Sequence, residues 1–199
     1  MMTARLAEWG TAGRALSGEL ESGDLAVAVE YEEGLLLGVI DGLGHGPEAR
    51  QAADMAAEVI RDRPERPLDW LIRECHEALR HARGVVMALA SIRPERSAWI
   101  GVGNIEGKLI RPGVEPLSPI ALPQLGGIIG YQLPPLHISA LRLSPDDVLV
   151  LATDGLQPDF RTDVRSTRPV QEIADGLLET FGKTNDDAMV MVARYLGEG

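Results

Sequence analysis

The residues best able to do chemistry in this sequence are aspartates placed at the ends of apolar runs. Asp41 opens the stretch Asp41-Gly42-Leu43-Gly44-His45-Gly46, directly after Leu35-Leu36-Leu37-Gly38-Val39-Ile40. Such a run reads as a buried strand, so a carboxylate is delivered at a strand end. The alternating glycines let the backbone turn tightly and approach a ligand, leaving carbonyls as well as the carboxylate open to an ion. The device recurs where Val148-Leu149-Val150-Leu151-Ala152-Thr153 ends in Asp154-Gly155. A further acidic step, Asp186-Asp187, stands before the strand-like Ala188-Met189-Val190-Met191-Val192. Packing alone does not call for carboxylates at these strand ends. Hard, oxygen-liking cations such as Mg²⁺ or Mn²⁺ do.

The elements that must position these groups follow from the flanking patterns. Asp24 begins the β-rich run Asp24-Leu25-Ala26-Val27-Ala28-Val29-Glu30, and Glu32-Glu33-Gly34 reads as a hairpin turn into Leu35. Antiparallel pairing brings the start of one strand to the end of its partner, which places Asp24 near Asp41. Asp24 also has a plainer reading as a turn residue after Gly23. Pro47 suits a first helical turn, and Ala49, Ala52, Ala53, Ala56, Val59 and Ile60 form an apolar stripe up to Pro64. A second stripe after Pro67 runs through Leu68, Leu71, Ile72, Cys75, Ala78, Leu79 and Ala82, leaving His76 and His81 on the solvated face.

Short runs then follow at Val85 to Ile92, Ala98 to Val102, Lys108 to Ile110, Gly127 to Ile129 and Leu136 to Leu143. Strands in succession without helices between them imply antiparallel sheet. The segment from Pro112 to Leu125 reads as a loop, Pro169 to Phe181 as a helix stopped by Gly182, and Ala188 to Ala193 as a last strand. Residues 4–18 are compatible with either a first strand or an irregular lead-in. The expected fold class is a layered α/β (α+β) arrangement: two packed antiparallel β-sheets flanked by helices, an α-β-β-α sandwich formed by residues 1–199 as a single domain.

Composition narrows the function. The chain has 199 residues, 30 acidic against 19 basic and a net charge of −11, which argues against nucleic acid or an anionic membrane as partner. Its only cysteine, Cys75, excludes an internal disulfide and a thiolate cluster and reads as a core residue. No apolar stretch approaches the roughly 18 residues of a membrane span, and the first residues lack a signal-peptide core. A cytoplasmic protein is expected. There is no Gly-x-x-x-x-Gly-Lys phosphate loop and no Gly-x-Ser-x-Gly elbow. Clustered aspartates without a nucleophile suit a two-metal hydrolase, in which ions about 3.5–4 Å apart activate water and stabilise a phosphoryl group under in-line attack.

Five segments taken together resemble the PPM-type metal-dependent serine/threonine protein phosphatases, in the compact bacterial branch of sporulation and stress-response regulators. They are Ser22-Gly23-Asp24, Asp41 to Gly46, Leu125-Gly126-Gly127-Ile128-Ile129-Gly130, Ala152-Thr153-Asp154-Gly155-Leu156 and Asn185-Asp186-Asp187-Ala188-Met189-Val190. Size and Gly101-Val102-Gly103-Asn104 are most similar to the stressosome feedback phosphatases of that branch. The resemblance implies a β-sandwich flanked by helix pairs and the removal of phosphate from phosphoserine or phosphothreonine with two divalent ions, Mn²⁺ or Mg²⁺. It implies as partner a phosphorylated protein, on a stressosome-type scaffold or in an anti-sigma pathway.

Residue by residue, the resemblance makes Asp41 the bridge between both ions, gives the Gly42 carbonyl to the first, and gives Asp154 and Asp186 to the second. Asp187 is the alternative to Asp186. Asp24 would act near the first ion, directly or through water. The chain departs from the family pattern at Met189, where a small hydroxyl residue is common, and at Leu43, where some members carry a histidine. His45 then stands either as a proton donor to the leaving group or as a residue that orders its loop. Two other readings stay open, a catalytically silent phosphoprotein-binding module and a phosphatase of small phosphoesters. Selectivity is expected from the loops Arg111 to Leu125 and Gln157 to Thr167, with Arg161, Arg165 and Arg168 either docking an acidic or phosphorylated surface or simply solvated.

Overall fold

A computed structural model describes residues 5–94, 96–112, 119–157, 160 and 168–197. Its strands are β1 (Ala7–Arg14), β2 (Asp24–Tyr31), β3 (Gly34–Gly42), β4 (Val85–Ile92), β5 (Ser97–Val102), β6 (Glu106–Ile110), β7 (Ile120–Ala121), β8 (Ser139–Leu141), β9 (Val148–Ala152) and β10 (Ala188–Tyr195). Its helices are α1 (Pro47–Asp62), α2 (Leu68–Ala78) and α3 (Val170–Phe181). The strands form two antiparallel sheets, the first ordered β2-β3-β4-β5-β8 and the second β1-β10-β9-β6-β7. The expected α-β-β-α layering is what the chain adopts.

Continuous apolar runs arise because the central strands are covered on both faces, and alternate residues serve different layers. Leu36 and Ile40 of β3, with Met87 and Leu89 of β4, pack under α1 and α2. Leu35, Leu37 and Val39, with Val86, Ala88 and Ala90, instead meet Leu149, Leu151, Met191 and Ala193 from the facing sheet. The other face of that second sheet, through Val148, Val150, Val190 and Val192, receives Ile173, Ala174 and Leu177 of α3. Among the described residues the first sheet carries a helix pair and the second a single helix, where the resemblance implied pairs on both sides.

The small side chains of α1 let it lie very close to the sheet. Ala49, Ala52, Ala53, Ala56 and Ala57 are fully buried. A Cβ added to Gly42 would stand 2.1 Å from the Ala49 carbonyl oxygen. The start of α1 is thereby pressed against the end of β3, where Asp41 sits. Of the stretch 4–18, Ala7–Arg14 is a strand, β1, paired with β10 along its whole length. Two expected strands shrink. Gly127 to Ile129 makes only isolated bridges to Val85 and Gln132, because Gly130 takes a left-handed φ of 94° and Pro134 and Pro135 cannot donate to a ladder. Leu136 to Leu143 is reduced to β8.

Candidate active site

The hairpin of β2 and β3 sets the first half of the site. Its register pairs Asp24 directly with Asp41, so both carboxylates leave one end of one sheet. Beyond them the chain is held by backbone contacts: Gly42 N–H donates to the Gly23 carbonyl at 3.1 Å and Leu43 N–H to the Gly84 carbonyl at 3.0 Å. Gly44 and Gly46 both take left-handed φ values, 92° and 74°. Arg83 reaches the Leu43 carbonyl and pairs with Glu48 at the first turn of α1. His45 is exposed, with Nδ1 2.7 Å from Glu19 Oε1. It ties its loop to the segment preceding β2.

The second sheet supplies the other half. Asp154 lies just beyond β9, and Asp186 and Asp187 lie just before β10. Between them Thr153 N–H donates to the Met189 carbonyl at 3.0 Å, and Met189 N–H donates to Thr153 Oγ1 at 2.9 Å. The Thr153 hydroxyl in turn donates to Asp24 Oδ2 at 2.6 Å. This buried hydroxyl joins the sheets at the site. Asp187 is also buried: Oδ1 accepts from Leu16 N–H at 2.7 Å and Oδ2 from Gly23 N–H at 2.8 Å. Asp186 is only half-buried, and its Oδ1 accepts from Asp187 N–H at 3.0 Å. Close approach fixes the glycine after Asp154, since a Cβ on Gly155 would lie 1.8 Å from the Asp187 carbonyl oxygen.

The five carboxylates are near enough to act on one another. Burial pushes Asp41 up to about 8, helped by the charges of Asp24, Asp154, Asp186 and Asp187. Burial likewise pushes Asp24 up to about 7, with the Thr153 hydroxyl opposing and Asp187, Asp154 and Asp186 adding to the rise. Asp154 is raised by burial and by Asp186, against Lys183 and the Asn104 amide. Among the described residues no three Asp, Glu, His or Cys side chains form a closed cage around one point. The carboxylates are neighbours, crowded and incompletely neutralised. An all-oxygen donor set in which Asp24, Asp41 and Asp154 are held against ionisation fits a hard divalent cation, whose charge would offset both burial and mutual repulsion.

A cleft of about 600 Å³ opens beside Asp154, lined among others by Asn104, Glu106, Lys108, Gln124 and Lys183. Asn104 Nδ2 donates to Asp154 Oδ2, and Lys183 Nζ to the Asp154 backbone carbonyl, each at 2.5 Å. Sequence reasoning gave no role to Thr153, Asn104 or Lys183. Thr153 stood inside a recognised motif, and a hydroxyl next to an aspartate at a strand end was its only signal. Asn104 and Lys183 act across long separations that no local pattern reveals. His76, expected on a solvated face, is half-buried and its Nδ1 accepts from Gly130 N–H at 3.0 Å. Cys75 is a core residue, its thiol pushed up to about 12 by burial.

The arginine loop divides. Arg161 and Arg165 lie outside the described residues. Arg168 lies far from the aspartates. It pairs with Glu172, and its carbonyl accepts from Arg194 near the far end of β10. The six residue steps of strand from Ala188 to Arg194 amount to about 20 Å, so Arg168 does not fold back beside the carboxylates.

Residues 31–196 match the family model for stage II sporulation protein E, SpoIIE. The fold superposes on a solved structure described as "The bacterial stressosome: a modular system that has been adapted to control secondary messenger signaling" with a TM-score of 0.87 and 30% identity, covering 96% of this chain and 100% of that one. RsbX in complex with magnesium superposes with a TM-score of 0.83 at 19% identity, covering 95% of each chain. A structure of the PP2C phosphatase domain and a fragment of the regulatory domain of SpoIIE from Bacillus subtilis gives 0.74 and 19%, covering 96% of this chain and 63% of that one. No curated protein sequence matches. With two sheets that converge their aspartates at one end and a match spanning most of its length, the chain belongs to the SpoIIE family of PP2C-type, metal-dependent serine/threonine phosphatases.

Proposed function

We propose that residues 1–199 act as one cytoplasmic phosphatase domain that removes phosphate from phosphoserine or phosphothreonine on a stressosome-type protein or an anti-sigma pathway protein. The observation that carries this reading is the meeting of Asp24 and Asp41 from one sheet with Asp154 and Asp186 from the other, at charges a divalent cation would relieve. The likeness to RsbX and to a stressosome-related structure supports the choice of partner.

In this reading two Mn²⁺ or Mg²⁺ ions are held by the chain's own oxygens. Asp41 and the Gly42 carbonyl would hold the first, and Asp41 would join Asp154 and Asp186 in holding the second. Asp24 serves the first directly or through water. Once bound, such ions supply Lewis-acid polarisation of the phosphoryl group and an activated water. The protein's part is positioning. The Thr153 hydroxyl fixes which oxygen of Asp24 is engaged, and Asp187 holds Gly23, whose carbonyl holds Gly42. That bracing role favours Asp186 over Asp187 as the ligand. The pairing with Glu19 favours loop ordering over proton donation for His45.

Phosphate release from a phosphoserine- or phosphothreonine-bearing stressosome protein, with Mn²⁺, Mg²⁺ or chelator, tests the proposal. Metal-dependent release from the protein is expected. Binding without release would mark a silent phosphoprotein module, and turnover confined to p-nitrophenyl phosphate a small-phosphoester phosphatase.

A further inference from the structure

Asn104 occupies the turn between β5 and β6, and both of its neighbours are pinned. Gly103 takes a left-handed φ of 94°, and a Cβ there would stand 2.2 Å from the Val86 side chain. Its N–H donates to the Leu125 carbonyl at 2.8 Å. On the other side Ile105 is fully buried, and its carbonyl accepts from the Gln124 side-chain amide. The segment carrying Gln124 and Leu125 therefore grips the turn before and after Asn104. The Asn104 Cα has little room to shift, although its side chain is exposed.

From that fixed point Nδ2 reaches Asp154 Oδ2 at 2.5 Å. A carboxylate oxygen only accepts, so the NH₂ end of the amide must be the one that faces it. The Lys183 ammonium holds Asp154 by its backbone carbonyl, and Lys183 N–H donates to the Gly155 carbonyl at 2.7 Å. These contacts settle the main chain of the Asp154-Gly155 turn and leave rotation of the Asp154 carboxylate to Asn104. A neutral donor also adds no further negative charge to a cluster already holding Asp24, Asp41, Asp154, Asp186 and Asp187.

We infer that Asn104 is a positioning residue for the cation site: its amide occupies one oxygen of Asp154 and reserves the other for the ion. The inference rests on Asp154 being a metal ligand, and the test separates the two claims. Mn²⁺ is titrated calorimetrically into wild type, Asn104→Leu, Asn104→His and Asp154→Asn, and the metal-free melting temperature of each is recorded. Leucine keeps the bulk of Asn104 without a donor, whereas histidine offers Nδ1–H near the position of the amide.

Asn104→Leu should weaken Mn²⁺ binding by about 10-fold or more, the scale on which partners of metal ligands act. Its metal-free melting temperature should stay at the wild-type value, and Asn104→His should recover most of the affinity. At saturating metal, KM for p-nitrophenyl phosphate should be unchanged. If Asn104→Leu does not fold, Asn104→Ala takes its place. Wild-type Mn²⁺ affinity in Asn104→Leu, with weakened affinity in Asp154→Asn, would overturn the role of Asn104 and leave Asp154 as a ligand. Wild-type affinity in Asp154→Asn would remove Asp154 from the site and the inference with it.

Discussion

The two sheets contribute to the aspartate cluster by different means. In the first, a single hairpin suffices: the β2–β3 register sets Asp24 against Asp41, and a two-residue turn at Glu32-Glu33 determines that register. In the second, Asp154 and Asp186 belong to strands separated by α3, and they are held at the site by buried polar ties. Thr153 links β9 to Met189 and to Asp24, and Asp187 reaches over to Leu16 and Gly23. The hairpin half is specified by local pairing, and in the proposed reading its carboxylates serve the ions. The other half needs side chains whose work is structural. Substitutions in the first half should therefore strike activity, and substitutions in the ties should strike stability.

Asp41→Asn is the sharpest way to break that division. It keeps side-chain volume but removes the carboxylate proposed to be shared between the ions, and turnover should fall on the order of 10³-fold or more. Removing a buried, disfavoured charge leaves the fold intact, so thermal denaturation should show no loss of stability. Loss of folding without a specific loss of turnover would make Asp41 a structural residue.

The pH dependence of the metal-free protein should come next in size. Asp24 at about 7 and Asp41 at about 8 lie above the ordinary value of 3.8, so the folded state holds these protons more tightly than the unfolded chain. Stability is then fullest below about pH 4, falls as pH rises, and levels off above about pH 8. The total change should be on the order of a few kcal/mol. Melting temperatures at about pH 5 and pH 8 read it directly, and Mg²⁺ should raise the value more at pH 8. A metal-free protein that gains stability across this window would contradict the crowding of the carboxylates.

The Asp186-Asp187 pair sharpens the comparison within one half. Asp187→Asn presents an amide NH₂ to one of two backbone donors, at a cost of about 1–3 kcal/mol. Asp186→Asn should leave urea denaturation nearly unchanged and remove turnover. The reverse pattern would exchange the roles of the two residues. Thr153→Val should have the smallest effect, about 1–2 kcal/mol, by leaving Met189 N–H and Asp24 Oδ2 without the hydroxyl between them. An unchanged denaturation midpoint would mean that water replaces it.

Much of this division could be read from the sequence. Apolar runs ending in Asp41 and Asp154 announced buried strand ends, the hairpin turn placed Asp24, and Pro47, Pro169 and Gly182 marked helix limits close to those observed. What stayed hidden depends on partners far along the chain. Nothing local distinguishes Asp186 from Asp187, because burial of the second follows from backbone N–H groups at Leu16 and Gly23. The stretch now seen as β1 is poor in branched residues and becomes a strand by pairing with β10. The bridges around Ile129 fail to extend because Gly130 and the prolines after it interrupt the pattern. Asn104 and Lys183 meet Asp154 only once the sheets are packed.

The central claim is that the cluster binds divalent cations through carboxylates that otherwise hold protons. Calorimetric titration of Mn²⁺ near pH 7, in two buffers of different ionisation enthalpy, counts the protons displaced as the metal enters. Wild type should release protons on binding, because Asp24 and Asp41 carry them in part at this pH. Asp41→Asn should bind far more weakly and release fewer. Tight binding without proton release, unchanged in Asp41→Asn, would contradict the claim.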